Sequence, residues 1–178
     1  DLSDIFKDIS KKFLFLCFLR GISFVFMQIF FYIAVINMNF ATAITLTFSS
    51  PIFIVVLSML LLKERIGLFR WSAIFIGFSG VLIIMNPRSE VFSFFSIFPL
   101  LAALCWAISN IVLKFIPDDI SSVKINFYSL NFSYLTSIII LILTNDFSSV
   151  QGSIHWLLMI LIGILGGIAS ILFSYAYR

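Results

Sequence analysis

Six long apolar runs cross this chain, and the short polar turns between them alternate between basic and nearly base-free. The runs cover 13–36, 40–62, 71–85, 92–115, 125–144 and 154–177. Each approaches the ~20 residues that carry a helix across ~30 Å of hydrocarbon at ~1.5 Å per residue. Threading the chain back and forth puts Lys7, Lys11, Lys12, Lys63, Arg65, Arg70, Lys114, Lys124 and Arg178 on or beside the face that holds the amino terminus, with Arg20 within reach of it. Of the 11 Lys and Arg residues, Arg88 alone falls on the opposite face. Lys and Arg accumulate in cytoplasmic turns, so residues 1–12 are expected in the cytoplasm. The expected fold is all-α, a polytopic membrane protein of six transmembrane helices in fixed orientation.

Composition agrees. The 178 residues are 62% hydrophobic and 11% charged, against about 45–50% and about 25% in soluble domains. A net charge of +3 would suit nucleic acid, but the bases sit where the topology needs them. No basic patch with interleaved aromatics lies outside the runs, which argues against nucleic acid as a partner. Cys17 and Cys105 lie in separate runs without partner spacing and read as two reduced hydrophobes. No metal site and no cofactor are expected. The first twelve residues mix Asp1, Asp4 and Asp8 with Lys7, Lys11 and Lys12, unlike a cleavable signal peptide. The chain starts without Met and ends at Arg178 as a run finishes, so it reads as a fragment. Phe occurs 23 times, and Ile, Asn and Lys stand where Ala, Gly and Arg are more usual. That bias points to an AT-rich coding sequence of a host-dependent bacterium, and the expected location is its inner membrane.

Between the runs, Asn37-Met38-Asn39 makes a tight hairpin and Lys63-Glu64-Arg65-Ile66-Gly67 a basic turn. Asn86-Pro87-Arg88-Ser89-Glu90 is the clearest linker, because the Pro stops a helix and polar residues follow. It separates a front half of three spans from a back half of three. Trp71 and Trp156 fall at water-facing ends, where aromatic belts sit, while Trp106 lies deep in its run. A weak repeat at a shift of 142 pairs Leu19 with Leu161, Gly21 with Gly163 and Phe31 with Phe173. It joins the first span to the sixth, five crossings later, and an odd number of crossings reverses direction. Segments related in that way are the mark of inverted-repeat transporters.

The most specific text is Asn39-Phe40-Ala41-Thr42-Ala43, then Ser49-Ser50-Pro51-Ile52-Phe53, then Leu60-Leu61-Leu62-Lys63-Glu64-Arg65. It resembles the EamA-type members of the drug/metabolite transporter superfamily, in which a span opening on small residues carries a mid-helix Pro and ends in a leucine run before Glu-Arg. Trp71, Gly77, Gly80-Val81-Leu82 and Asn86-Pro87 look like the span that closes a five-helix repeat, and Phe98-Pro99-Leu100, Ala103 and Trp106-Ala107 like the one that opens the next. The resemblance implies ten helices in two inverted halves of five. Residues 1–87 would hold the end of the first EamA repeat and residues 92–178 the truncated start of the second. It also implies alternating access for a small organic metabolite. Within the superfamily the chain is similar to the S-adenosylmethionine uptake carriers of host-dependent bacteria. The bilayer and a small metabolite are the partners expected, and a homodimer is left open.

Polar groups are costly in hydrocarbon and turn inward, so the candidate substrate positions are polar residues deep in the runs. Gln28 and Tyr32 lie four apart on one face, as cavity lining or as hydrogen-bond glue between helices. Thr42, Thr45, Thr47, Ser49 and Ser50 crowd ahead of Pro51, which removes a backbone donor and frees carbonyls around Thr47 for a ligand or a hinge. The plain alternative is a kink satisfied by the hydroxyls. Trp106 and Asn110, with Tyr128, Asn131, Tyr134 and Tyr175, suit an aromatic, amide-lined pocket for a planar or amphipathic metabolite, cationic ones included. Ordinary packing competes. Gly163, Gly166 and Gly167 fit close helix packing, with a gating pivot as the sharper reading. Arg20 is expected to snorkel to the interface, or else to face an anionic substrate group. Glu64, between Lys63 and Arg65, reads as a structural ion pair at a helix end before it reads as a gate. All 8 acidic residues lie in loops or at run ends, which disfavours a proton relay within these spans.

Two rival readings remain. Gly77-Phe78-Ser79-Gly80 matches the G-x-S-G of rhomboid-type intramembrane proteases, and the chain has a single histidine, His155. A nucleophilic serine needs its base at ~2.6–3.2 Å and oxyanion donors. The topology instead puts Ser79 midway through a span and His155 at a span's mouth. No enzyme is expected. The other rival is a non-transporting remnant or membrane scaffold subunit.

Overall fold

The computed structural model describes residues 10–64, 67–85, 94–144 and 153–176, and every element among them is helical. The helices are α1 (Lys11–Asn37), α2 (Phe40–Thr47), α3 (Ser50–Leu57), α4 (Leu68–Met85), α5 (Ile97–Leu113), α6 (Ser122–Thr144) and α7 (Ser153–Ala176). A π-helical turn, Ser58–Leu62, continues α3, and a 3₁₀ turn, Phe94–Ser96, leads into α5. Five stretches are long and apolar enough to cross a membrane: Lys11–Asn37, Phe40–Leu62, Phe94–Leu113, Ser122–Thr144 and Ile154–Leu172. The third run of the sequence forms α4, of 18 residues. Large side chains such as Phe15, Ile36, Leu68 and Phe69 are exposed along these helices, a surface that lipid, not water, must cover. The chain is a multi-pass membrane protein.

Helix starts follow side-chain chemistry. Ser10 Oγ accepts from the Phe13 N–H at 3.1 Å, Asn39 Oδ1 from Ala41 at 3.0 Å and Ser121 Oγ from Lys124 at 3.3 Å. Each cap satisfies one of the amides that a first turn leaves open. The linker 86–90 of the sequence reading, and Arg65 and Ile66 of the basic turn, lie outside the described residues.

Packing groups the chain into two compact units, residues 1–22 with 112–178, and residues 23–111. In the first, Phe13, Cys17, Arg20 and Gly21 form one stripe of α1 at helical spacing and are all buried. Phe13 and Cys17 join Leu113, Ile116 and Ile125 in a core. Phe13 meets Tyr128 edge-on at 5.5 Å, and the Lys124 ammonium lies 5.6 Å from the Phe13 ring centre. At Gly21 the helices touch: a Cβ there would stand 2.7 Å from the Ser129 carbonyl oxygen. Ser133 Oγ donates to the Gly21 carbonyl at 3.0 Å.

The close approach expected at Gly163, Gly166 and Gly167 is not found there, since an added Cβ would meet nothing within 4 Å at any of the three. A small residue permits an approach but does not bring a partner; α6 lies over Gly21, and α7 shows most of its surface.

Arg20 also departs from the snorkelling expected of it. It is 8% exposed, and its Nη1 donates to Asn126 Oδ1 at 3.1 Å. The same oxygen accepts from Ser170 Oγ at 2.8 Å, while Asn126 Nδ2 donates to the Ser122 carbonyl at 2.9 Å. One amide thus ties α1, α6 and α7, and an amide within reach makes burial cheaper for the guanidinium than a long detour to the interface.

Candidate binding cavity

Within residues 23–111 the packing leaves a cavity of ≈ 360 Å³, inside the range of about 300–1,000 Å³ that organic ligands occupy. Its walls come from three places. Helix α1 presents Met27, Gln28 and Phe31, and α5 presents Ala102, Ala103 and Trp106. Both sets have the i, i+1, i+4 spacing of one helical face. The two alanines are too short to fill the space between the helices. Thr47, Phe48 and Ser50 form the third wall.

That third wall exists because the span Phe40–Leu62 is broken. Pro51 brings no N–H to the carbonyl four residues back, Thr47, and its ring crowds that carbonyl. Helix α2 ends at Thr47, and the chain turns more tightly: Ser49 N–H reaches Leu46 at 3.1 Å and Ile52 N–H reaches Ser49 at 3.0 Å. Pro51 then sits in the first turn of α3, where its fixed φ is no burden. The break rotates Phe48 and Ser50 onto the cavity.

Most polar side chains near it are already committed. Thr45 Oγ1 donates to the Ala41 carbonyl at 2.9 Å, Ser49 Oγ to Leu46 at 2.7 Å and Thr47 Oγ1 to Ile44. Asn110 Nδ2 donates to the Trp106 carbonyl at 2.8 Å. Among the described residues, the Gln28 amide and the Ser50 hydroxyl have no hydrogen-bond partner, and both line the cavity. Aromatic contacts back the walls, with Phe24 6.1 Å from Trp106 and Phe31 6.4 Å from Phe40.

Of the candidate substrate positions, Gln28 and Trp106 therefore line the cavity. Tyr32, one turn beyond Gln28, is 66% exposed and does not. Thr45 and Ser49 are buried beside it, and their neighbours Thr47 and Ser50 take the wall. Pro51 is exposed and shapes the cavity from outside its lining. Asn110 is buried but bonded to its own helix. Asn131 and Tyr134 belong to the other unit and are exposed on α6, where the Asn131 amide donates to the Phe127 carbonyl at 2.7 Å. The Tyr175 side chain lies outside the described residues. Met27, Phe31, Phe48, Ala102 and Ala103 were missed, since an apolar side chain facing a cavity has the same sequence signature as one facing lipid.

Glu64 Oε2 accepts from Ser58 Oγ at 2.7 Å, across the π-helical turn whose following residue, Lys63, has φ 54°. Ser79 of the G-x-S-G stretch donates to the Ile76 carbonyl at 2.9 Å, the ordinary habit of a helical serine. His155 lies near the start of α7.

Residues 3–86 and 94–178 each match the EamA-like transporter family. The chain belongs to that family. Among relatives, a riboflavin transporter of Vibrio cholerae serotype O1 is 31% identical over 134 residues, 75% of this chain and 44% of the relative. A riboflavin transporter of Rhizobium johnstonii is 40% identical over 72 residues, 40% of this chain and 24% of the relative. An S-adenosylmethionine uptake transporter of Rickettsia bellii is 33% identical over 88 residues, 49% of this chain and 30% of the relative. The EamA-like chain thus spans less than half the length of each. No solved structure matches it.

Proposed function

We propose that this EamA-like protein moves a small organic metabolite across a bacterial inner membrane, with the cavity between α1, α5 and the α2–α3 break as a substrate position. The observation that carries the proposal is the cavity itself: aromatic rings and a thioether on its walls, and two uncommitted polar side chains, on an open recess of an apolar helical unit. A flat nitrogen heteroaromatic suits such walls, since ring faces stack on Trp106, Phe31 and Phe48. Riboflavin and S-adenosylmethionine, for which relatives are named, both contain such a ring. The sulfonium of the second adds an attraction for aromatic faces.

The mechanism proposed is alternating access, with residues 1–87 closing one repeat and residues 92–178 opening an inverted one. None of the lining side chains is ionisable. That favours exchange or facilitated movement over a proton relay through the cavity.

Uptake is measured in cells expressing the protein and supplied with labelled riboflavin or S-adenosylmethionine. Accumulation above vector controls is expected for one of them, with a drop of about tenfold in Trp106→Ala at unchanged membrane level, as for the loss of one stacked ring. Accumulation of neither would overturn the proposal.

A further inference from the structure

We propose that Gln28 reads the hydrogen-bonding edge of the substrate's ring, so that the cavity selects a flat nitrogen heterocycle carrying a donor and an acceptor side by side. This rests on the carrier reading of the same cavity.

Polar side chains on these helices fold back on their own backbone. Asn37, Asn110, Asn126 and Asn131 all donate to the carbonyl one turn earlier, at 2.8, 2.8, 2.9 and 2.7 Å. That habit is the cheapest way to keep an amide in apolar surroundings. Gln28 departs from it. Its side chain is one methylene longer, is exposed on the open side of the cavity beside Met27 and makes no hydrogen bond among the described residues.

An uncommitted primary amide offers a carbonyl acceptor and two N–H donors in one plane. It pairs in-plane with any edge that sets a donor next to an acceptor, as glutamine does with adenine. The imide edge of riboflavin, N3–H between two carbonyls, has that pattern, and so does the amino group of S-adenosylmethionine beside its ring nitrogens. The aromatic walls fix the plane of the ring, and the Gln28 amide would then fix which edge enters. Ser50, across the cavity at the start of α3 and equally uncommitted, is placed for a hydroxyl of the sugar-like chain that both molecules carry.

The test compares riboflavin with 3-methylriboflavin, in which the N3–H is blocked. Binding to the purified protein in lipid nanodiscs is followed by quenching of flavin fluorescence, with S-adenosylmethionine as competitor. Wild-type protein is expected to prefer riboflavin about tenfold. Gln28→Leu should bind the two flavins alike, at the wild-type affinity for the methylated one. Trp106→Ala should weaken both equally. If only S-adenosylmethionine binds, measured with the radiolabelled compound, displacement by its N6,N6-dimethyl analogue against the unlabelled parent makes the same comparison. A preference that survives in Gln28→Leu, or no preference in wild type, overturns this inference while Trp106 dependence leaves the carrier reading standing. Binding of neither riboflavin nor S-adenosylmethionine removes both. A melting temperature of Gln28→Leu equal to wild type shows that the comparison is between folded proteins.

Discussion

Gly21 and Gly163 look alike in the sequence, each a glycine in an apolar run and paired by the shift of 142, yet their surroundings are opposite. A methyl group at Gly21 must enter space held by the Ser129 carbonyl, a backbone atom that cannot step aside alone. Gly21→Ala should destabilise the detergent-solubilised protein by about 1–3 kcal/mol, the usual cost of overpacking, visible as a lower melting temperature. Gly163→Ala should leave it unchanged or slightly raise it. Asn126 is the other residue on which several helices depend, because its carbonyl oxygen serves both Arg20 and Ser170. Asn126→Leu fills the volume but removes that oxygen from a buried guanidinium. A loss of about 2 kcal/mol or more is expected, as for a charged group stripped of a hydrogen bond, read by thermal unfolding. Wild-type stability in Asn126→Leu would show that the tie is incidental.

Among the elements, the broken span Phe40–Leu62 matters most for the cavity. Its text was legible: Pro51 with hydroxyl residues ahead of it announces a kink, and the helix does stop at Thr47, four residues before the proline. Which hydroxyls face the cavity was not legible, because the break changes the rotation of everything after it by an amount that spacing does not state. Of the five hydroxyl residues ahead of Pro51, the wall takes Thr47 and Ser50, while Thr45 and Ser49 are buried beside it. Pro51→Ala restores an N–H and lets α2 and α3 run on as one helix. Uptake should fall severalfold as Phe48 and Ser50 rotate off the wall, while the melting temperature holds, since Pro51 sits in a first turn where it costs little and the joined helix gains the backbone bond to Thr47. Unchanged uptake would show that the break is not needed for the site.

For the whole molecule, the apolar exposed surface and the spacing of bases make one claim together, that the chain is threaded through lipid in a fixed direction. Single cysteines at positions 37 and 63 test it, in a Cys105→Ser background where Cys17, fully buried, stays silent. In intact cells an impermeant thiol reagent should label the first and reach the second only after permeabilisation. Labelling of both from outside would overturn the crossing of Phe40–Leu62, and labelling of position 63 alone would reverse the orientation drawn from the positive-inside rule. Packing adds a division that chain order does not suggest: the first part of α1 groups with α6 and α7, and the rest of it lines the cavity.

That the chain is helical, apolar and threaded repeatedly through lipid is a sum of hydrocarbon transfer over neighbouring residues, so the sequence alone determined it. Whether Gln28 or Tyr32 points into a cavity, and whether Gly21 or Gly163 is pressed against a neighbour, depends on how each helix is rotated against a partner distant in the chain. In a run apolar on every side the periodicity carries no such information, and only the tertiary structure decided it.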